Sequence, residues 1–341
     1  MIETLSAAMG LAVSDPVFWM PLVLITMVTV LLLGLVLLDG MALGVGLLML
    51  WVPAQHKRLL LDTVKPWQRA NERWLPLLLA LSMAAFPLAW SEMIEGLYAP
   101  FLMLVAGALL RSLAIRGANR VWLYALASVL GAVGFGLLLA AYATGQRFHW
   151  SFVAFDAVMS LSMVAAFALL AASWVLIKRP FDALTARLAS LGAAAARWSA
   201  AGMVALSLML ALANPAIFYK WTHADHLQIA AVWWTVMLVA FVWLDRLLRT
   251  WGQSAVPIER RIRMPLLLSW LLLGLMFIGL LYSVFPFLVL DELTIWDAAA
   301  SPESLALVTY MAAVLAVLGL CVQGWDYRRL LADDTPATNH S

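Results

Sequence analysis

Basic residues in this chain fall into every second gap between long apolar runs. Of its 21 Lys and Arg, 19 obey this pattern. Lys57, Arg58, Lys65, Arg69 and Arg73 share the first basic gap, and Arg111, Arg116 and Arg120 the second. Lys178, Arg179, Arg187 and Arg197 form the third, Arg246, Arg249, Arg260, Arg261 and Arg263 the fourth, and Arg328 and Arg329 follow the last run. The intervening gaps keep only Arg147 and Lys220. A soluble domain has no reason to alternate charge, whereas membrane proteins retain positive loops on the cytoplasmic side. The pattern predicts a polytopic, all-α membrane bundle. Its N-terminus, with Glu3 and Asp15, lies outside, and its C-terminus lies in the cytoplasm.

A membrane span needs roughly 20 apolar residues. The chain is 65% hydrophobic and 12% charged, far from the usage of soluble domains. About nine spans are read, near 17–50, 75–94, 97–115, 121–144, 152–177, 198–219, 228–248, 264–289 and 304–324. The first run exceeds one perpendicular span, so it should tilt or continue into the cytoplasm as an interfacial helix. It lacks the basic start and short apolar core of a signal peptide. Residues 1–331 form one helical domain, and 332–341 a short polar tail. No basic cluster is interleaved with aromatics as nucleic-acid binding would require. The lone Cys321 allows no internal disulfide. Trp residues gather near span ends, as in an interfacial aromatic belt.

Ionisable groups within spans are costly and mark function by default. Asp39 is the foremost, in Asp39-Gly40-Met41-Ala42-Leu43-Gly44-Val45-Gly46. A straight helix from Phe18 places it near the inner boundary, and the glycines would admit a close neighbour. It reads equally as a proton-relay or buried carboxylate and as a cap at a helix break. Pro66, Trp67, Asn71, Glu72, Trp74 and Leu75 form a polar-aromatic segment. That segment is either an interfacial helix or a source of side chains pointing into the bundle. Asp156 reads as an outer helix cap, Glu92 and Glu95 as solvated, and Asp245 with Arg246 as a snorkelling pair. The five histidines, His56, His149, His223, His226 and His340, lie in loops or the tail. Bis-His haem ligation from inward-facing spans is therefore not expected. His223, Asp225 and His226 are weak as a metal set, and none is assigned.

Several segments together resemble subunit II of the cytochrome bd-type quinol oxidases. Asp39-Gly40-Met41 with Leu43-Gly44-Val45-Gly46 resembles that family's first-span motif, and Asn71-Glu72-Arg73-Trp74-Leu75 its second. Ala85-Phe86-Pro87 occupies its expected place, and Arg116-Gly117 resembles the start of an Arg-Gly loop. Phe285-Pro286-Phe287 and Leu293-Thr294-Ile295-Trp296-Asp297-Ala298-Ala299-Ala300-Ser301 match the family's outer loop, and Trp325, Tyr327 and Arg328 close the last span.

The resemblance implies a haem-free subunit of a complex that passes electrons from quinol to dioxygen, in the inner membrane of a bacterium. Haems and catalytic centres then belong to subunit I. This chain would have no catalytic residue and no metal ligand, but could hold a structural quinone. Its implied partners are subunit I, membrane lipid and a small accessory subunit, with quinol and dioxygen acting on the whole complex. Asp39, Arg69, Asn71, Glu72, Trp74 and Arg116 would form a polar network for assembly or for proton and oxygen access. Trp296 and Asp297 would carry the outer-loop motif. The chain departs from the pattern at Ala42 and Arg69, where the family has acidic residues, and in the shortened Ala118-Asn119-Arg120. Arg69 could pair with Asp39, which then reads as a structural anchor ahead of a relay. The alternatives from other classes are a secondary transporter or channel, and a scaffold derived from the oxidase subunit.

Overall fold

The computed structural model describes residues 6, 10–117, 120–145, 152–178, 182–253 and 261–333. Arg147, Arg179, Arg260, Ala118, Asn119 and the polar tail beyond 333 lie outside the described residues, as do the side chains of Glu95, Asp225 and His226.

The described residues form an all-α membrane bundle. Eight helices are long and apolar enough to cross a bilayer, and a ninth crossing results if one bent pair counts as a span. The first run is a single 33-residue rod over Pro16–Leu48. It comprises α1 (Pro16–Gly34), a π turn (Leu35–Asp39) and α2 (Gly40–Leu48). Asp15 opens it by accepting from the Val17 backbone N–H at 2.9 Å, with Pro16 at the first turn, as N-terminal caps do. The interfacial continuation expected beyond it is a separate amphipathic helix, α3 (Ala54–Asn71).

The expected span 75–94 is not straight. α4 (Trp74–Ala85) stops at Phe86, and α5 (Pro87–Arg116) leaves at a bend of 110°. Pro87 drives Phe86 to φ −131°, ψ 60°, outside the helical region, because a proline ring crowds the residue before it. The carbonyl of Ala85 accepts instead from the Ala300 backbone N–H at 3.0 Å. α6 (Val121–Ala143) and α7 (Val153–Ile177) are unbroken spans. The expected span 198–219 breaks as well, between α8 (Asp182–Ala213) and α9 (Pro215–Thr222). α10 (Ala224–Gln253) and α11 (Met264–Val284) precede a small hairpin of β1 (Phe287–Val289) and β2 (Leu293–Thr294). α12 (Pro302–Asp333) completes the chain.

The core forms where α2 runs against α6 and α7. Every residue of α2 is buried. Lipid gives helices no hydrophobic reason to associate, so close backbone approach must hold them together. A Cβ on Gly44 would lie 1.9 Å from the Phe167 carbonyl oxygen, and one on Gly46 would lie 2.0 Å from Ser128 Oγ. The glycines following Asp39 thus bring α2 into direct contact with α7 and α6.

Candidate functional site: a buried ion pair at the basic end

Asp39 closes the π turn, and its side chain is 8% exposed. It faces the guanidinium of Arg111 on α5, itself 3% exposed. Arg111 donates Nη1 to Oδ1 at 3.1 Å and Nη2 to Oδ2 at 2.5 Å, a two-pronged pair. Nη1 also donates to Gln68 Oε1, on α3, at 2.8 Å. Tyr124 on α6 brings its hydroxyl to 2.9 Å from the Ala42 carbonyl and 3.0 Å from Gln68 Oε1. Four segments distant in sequence therefore meet at one charge-neutral cluster. Arginine suits this place because its planar fork matches both carboxylate oxygens at once.

A second layer supports the first. Asn71 Nδ2 donates to the Leu38 carbonyl within the π turn at 2.8 Å, and Asn71 Oδ1 accepts from the Tyr327 hydroxyl at 2.7 Å. Gln323 donates to the Ala70 carbonyl at 3.2 Å, and Arg73 pairs with Asp326. Trp67 stacks on Tyr327 with ring centroids 5.8 Å apart and meets Trp174 edge-on. The Lys178 ammonium lies 5.6 and 5.4 Å from those two indoles. Outside this layer Arg116 donates to Glu72 at 2.9 Å.

Sequence reasoning marked Asp39, Asn71, Glu72, Trp74 and Arg116, and the structure gathers all five at this end. It corrects Arg69, which is exposed on α3 and is not the partner of Asp39. Arg111 takes that role, although it reads as a loop cation because Arg116 and Arg120 lie just beyond it. Gln68, Tyr124 and Tyr327 carry no charge and were given no site role from the sequence. Their only hint was helical register with Asn71 and the Trp325-Tyr327-Arg328 motif. Asp245 pairs with Arg197 at 2.9 Å and Arg249 at 2.8 Å, in place of the expected Arg246. Asp156 lies in the first turn of α7 without a capping bond, and Phe152 holds the cap position.

Trp296 and Asp297 belong to the opposite end. Trp296 Nε1 donates to the Phe18 carbonyl at 2.9 Å, and its ring stacks on Phe18 at 5.4 Å. Asp297 Oδ2 accepts from the Thr294 backbone N–H at 3.1 Å and hydroxyl at 2.6 Å. Nearby, Lys220 Nζ donates to the carbonyls of Tyr282 at 2.5 Å and Phe285 at 2.9 Å. Burial lowers the Lys220 pKa from the ordinary lysine value. A largely apolar cavity of about 220 Å³ opens among α8, α9, α10 and α11, lined by Phe218, Trp221, Trp233, Met237 and Met276.

The chain belongs to the cytochrome bd terminal oxidase subunit II family, whose profile matches residues 20–330. It is also similar in fold to a chain of the bd oxidase from Geobacillus thermodenitrificans. That match has 15% identity and a TM-score of 0.66, and covers 89% of this chain and 97% of the other. No curated protein matches it. The protein is therefore a subunit of a quinol oxidase complex, with subunit I as its partner. The transporter and scaffold alternatives are not favoured.

Proposed function

We propose that this chain is the haem-free half of the oxidase, in a bacterial inner membrane, and that the Asp39 cluster anchors its basic end. The carrying observation is the two-pronged Asp39–Arg111 pair. A relay carboxylate needs an exchangeable partner, and here both oxygens are held by one permanently charged group. The pair instead joins the π turn to α5, with Gln68 and Tyr124 adding α3 and α6. Arg69, exposed and away from the pair, has no part in this anchor. Arg116 and Glu72 extend the same network toward the surface. Quinol and dioxygen act at the level of the complex, which a small accessory subunit completes. Haem binding by this chain is not expected, since no histidine lies within an apolar run of the sequence, although His56 stands in the first turn of α3 and His226 in that of α10. A pyridine haemochrome assay on the chain expressed alone tests this, and stoichiometric haem would refute it.

We assign the largely apolar cavity of about 220 Å³ among α8–α11 to the ring of a structural quinone. Its hydroxyls are already engaged: Ser207 donates to the Met203 carbonyl, Thr222 to Phe218 and Ser283 to Gly279. A quinone there would be held by packing against Trp221 and Trp233. Solvent extraction of the complex, with and without Trp233→Ala, shows whether a quinone depends on this cavity.

The anchor is tested by replacing the whole ion pair with apolar residues. Such swaps are often neutral, whereas removing one partner is not. Asp39→Leu/Arg111→Met should assemble with full haem content and largely retained quinol oxidase turnover. An assembled, haem-replete double variant that has lost its turnover would establish the relay reading.

A further inference from the structure

The π turn determines where Asp39 points. Such a turn adds one residue to the helical ladder, so it rotates the downstream helix α2 by about 100° relative to an unbroken α-helix. The same rotation sets the face on which Gly44 and Gly46 meet α7 and α6. A π turn is intrinsically rare, so something must favour it over the α-helical alternative. The junction of α3 and α4 contacts it at both ends. At its start the Trp74 ring packs on Gly34, where a Cβ would fall 2.5 Å from Trp74 Cζ3. At its end Asn71 Nδ2 holds the Leu38 carbonyl at 2.8 Å. The Asn71 amide is in turn oriented by the Tyr327 hydroxyl at 2.7 Å, whose ring is fixed by stacking on Trp67.

We propose that Tyr327 is a positioning residue: through Asn71 it holds the π turn that aims Asp39 at Arg111. The C-terminal helix α12, otherwise exposed over much of its length, thus reaches the Asn71 side chain through one hydroxyl, beside its Gln323 and Asp326 contacts with Ala70 and Arg73. This inference rests on the anchor reading for its purpose, but its test does not use turnover.

The experiment is hydrogen–deuterium exchange on the assembled oxidase complex, read at the amides of 36–43. Tyr327→Phe removes the hydroxyl and keeps the stacked ring. It should raise exchange there roughly fivefold, the scale of one lost hydrogen bond, with α6 and α7 unchanged. Asp326→Asn loosens the neighbouring contact of α12 with Arg73 without touching Asn71. It should raise exchange in α12 and leave 36–43 at the wild-type rate. Unchanged exchange at 36–43 in Tyr327→Phe overturns the proposal. So does an equal rise in Asp326→Asn, because docking of α12 would then explain both. If Tyr327→Phe fails to assemble, Asn71→Asp carries the test. Its carboxylate still accepts from Tyr327 but cannot donate to Leu38, so the same rise is expected and its absence overturns the proposal. Failure of the anchor reading shows separately, as lost turnover in the Asp39→Leu/Arg111→Met complex.

Discussion

The two ends of the bundle use polar side chains in opposite ways. At the basic end, side chains mostly bond to one another across helices: Asp39 to Arg111, Arg111 to Gln68, Tyr327 to Asn71. At the other end they mostly bond to backbone that helix breaks have left exposed. Lys220 covers the last carbonyls of α11, while Trp296 reaches the Phe18 carbonyl inside the first turn of α1. Asn214 accepts from the N–H groups of Ala216 and Ile217 and donates to Asp291 at 2.7 and 2.6 Å. Buried backbone and buried charge both demand partners in a bilayer. Meeting the first demand fastens loops and helix ends to their neighbours, and meeting the second fixes how the helices themselves sit against one another. Substitutions at the basic end should therefore disturb the whole assembly, and those at the other end a single loop.

The largest difference is expected for Arg111→Leu. It leaves the Asp39 carboxylate buried and alone, at a cost of about 3–5 kcal/mol. Little haem-replete complex should be recovered, and adding Asp39→Leu should restore much of the yield. If Arg111→Leu assembles normally and the double variant is no better, the cluster is not a coupled unit and the contrast between the ends fails.

That site was half legible in the sequence. Asp39 stood out because carboxylates inside apolar runs are rare, and Asn71, Glu72 and Trp74 because polar and aromatic residues crowd one segment. Arg111 was hidden by its place among basic residues: composition cannot tell a cation that ends a span from one inside the bundle. Gln68, Tyr124 and Tyr327 needed tertiary placement, since neutral hydrogen-bonding side chains leave no periodic trace. In the fold, the apolar runs marked the spans, but Pro87 and Pro215 broke two of them. A proline announces a break without announcing its angle. The π turn had no sequence signal beyond the glycines after it.

Trp296→Ala comes next in size. It removes the bond to Phe18, the stack on its ring and an edge-on contact with Phe285. The indole is only partly buried, so about 2 kcal/mol is expected, below the range for fully buried Trp. Limited proteolysis should cut faster within 285–301 while haem content stays at the wild-type level. Loss of haem along with the loop would show that the two ends are not independent.

Asn214→Ala should cost about 1–2 kcal/mol, the scale of a helix N-cap with its added bond to Asp291. Differential scanning calorimetry of the complex would measure it. Asn214→Asp separates the two roles. The carboxylate can still cap Ala216 and Ile217, but it would face Asp291 with like charge. It should recover nothing, or fall below Asn214→Ala. Full recovery would mean that capping alone matters.

The smallest effect concerns Lys220 and pH. Burial lowers its pKa below the ordinary 10.5, so between the folded value and 10.5 the unfolded chain binds more protons than the folded one. Stability contributed by this group must then rise as pH rises through that window. The half-buried ammonium remains screened, so the change should stay below about 1 kcal/mol. Lys220→Met removes the titration along with the bonds to Tyr282 and Phe285. Subtracting its thermal midpoint from that of the wild-type complex cancels every other titrating group. The difference should move in favour of wild type as pH climbs from neutrality toward 10.5. A difference that shrinks instead would mean that the two carbonyls and the Tyr282 ring, 4.4 Å away, outweigh burial. Lys220 would then act as a charge anchor like Arg111, and the distinction between the two ends would narrow.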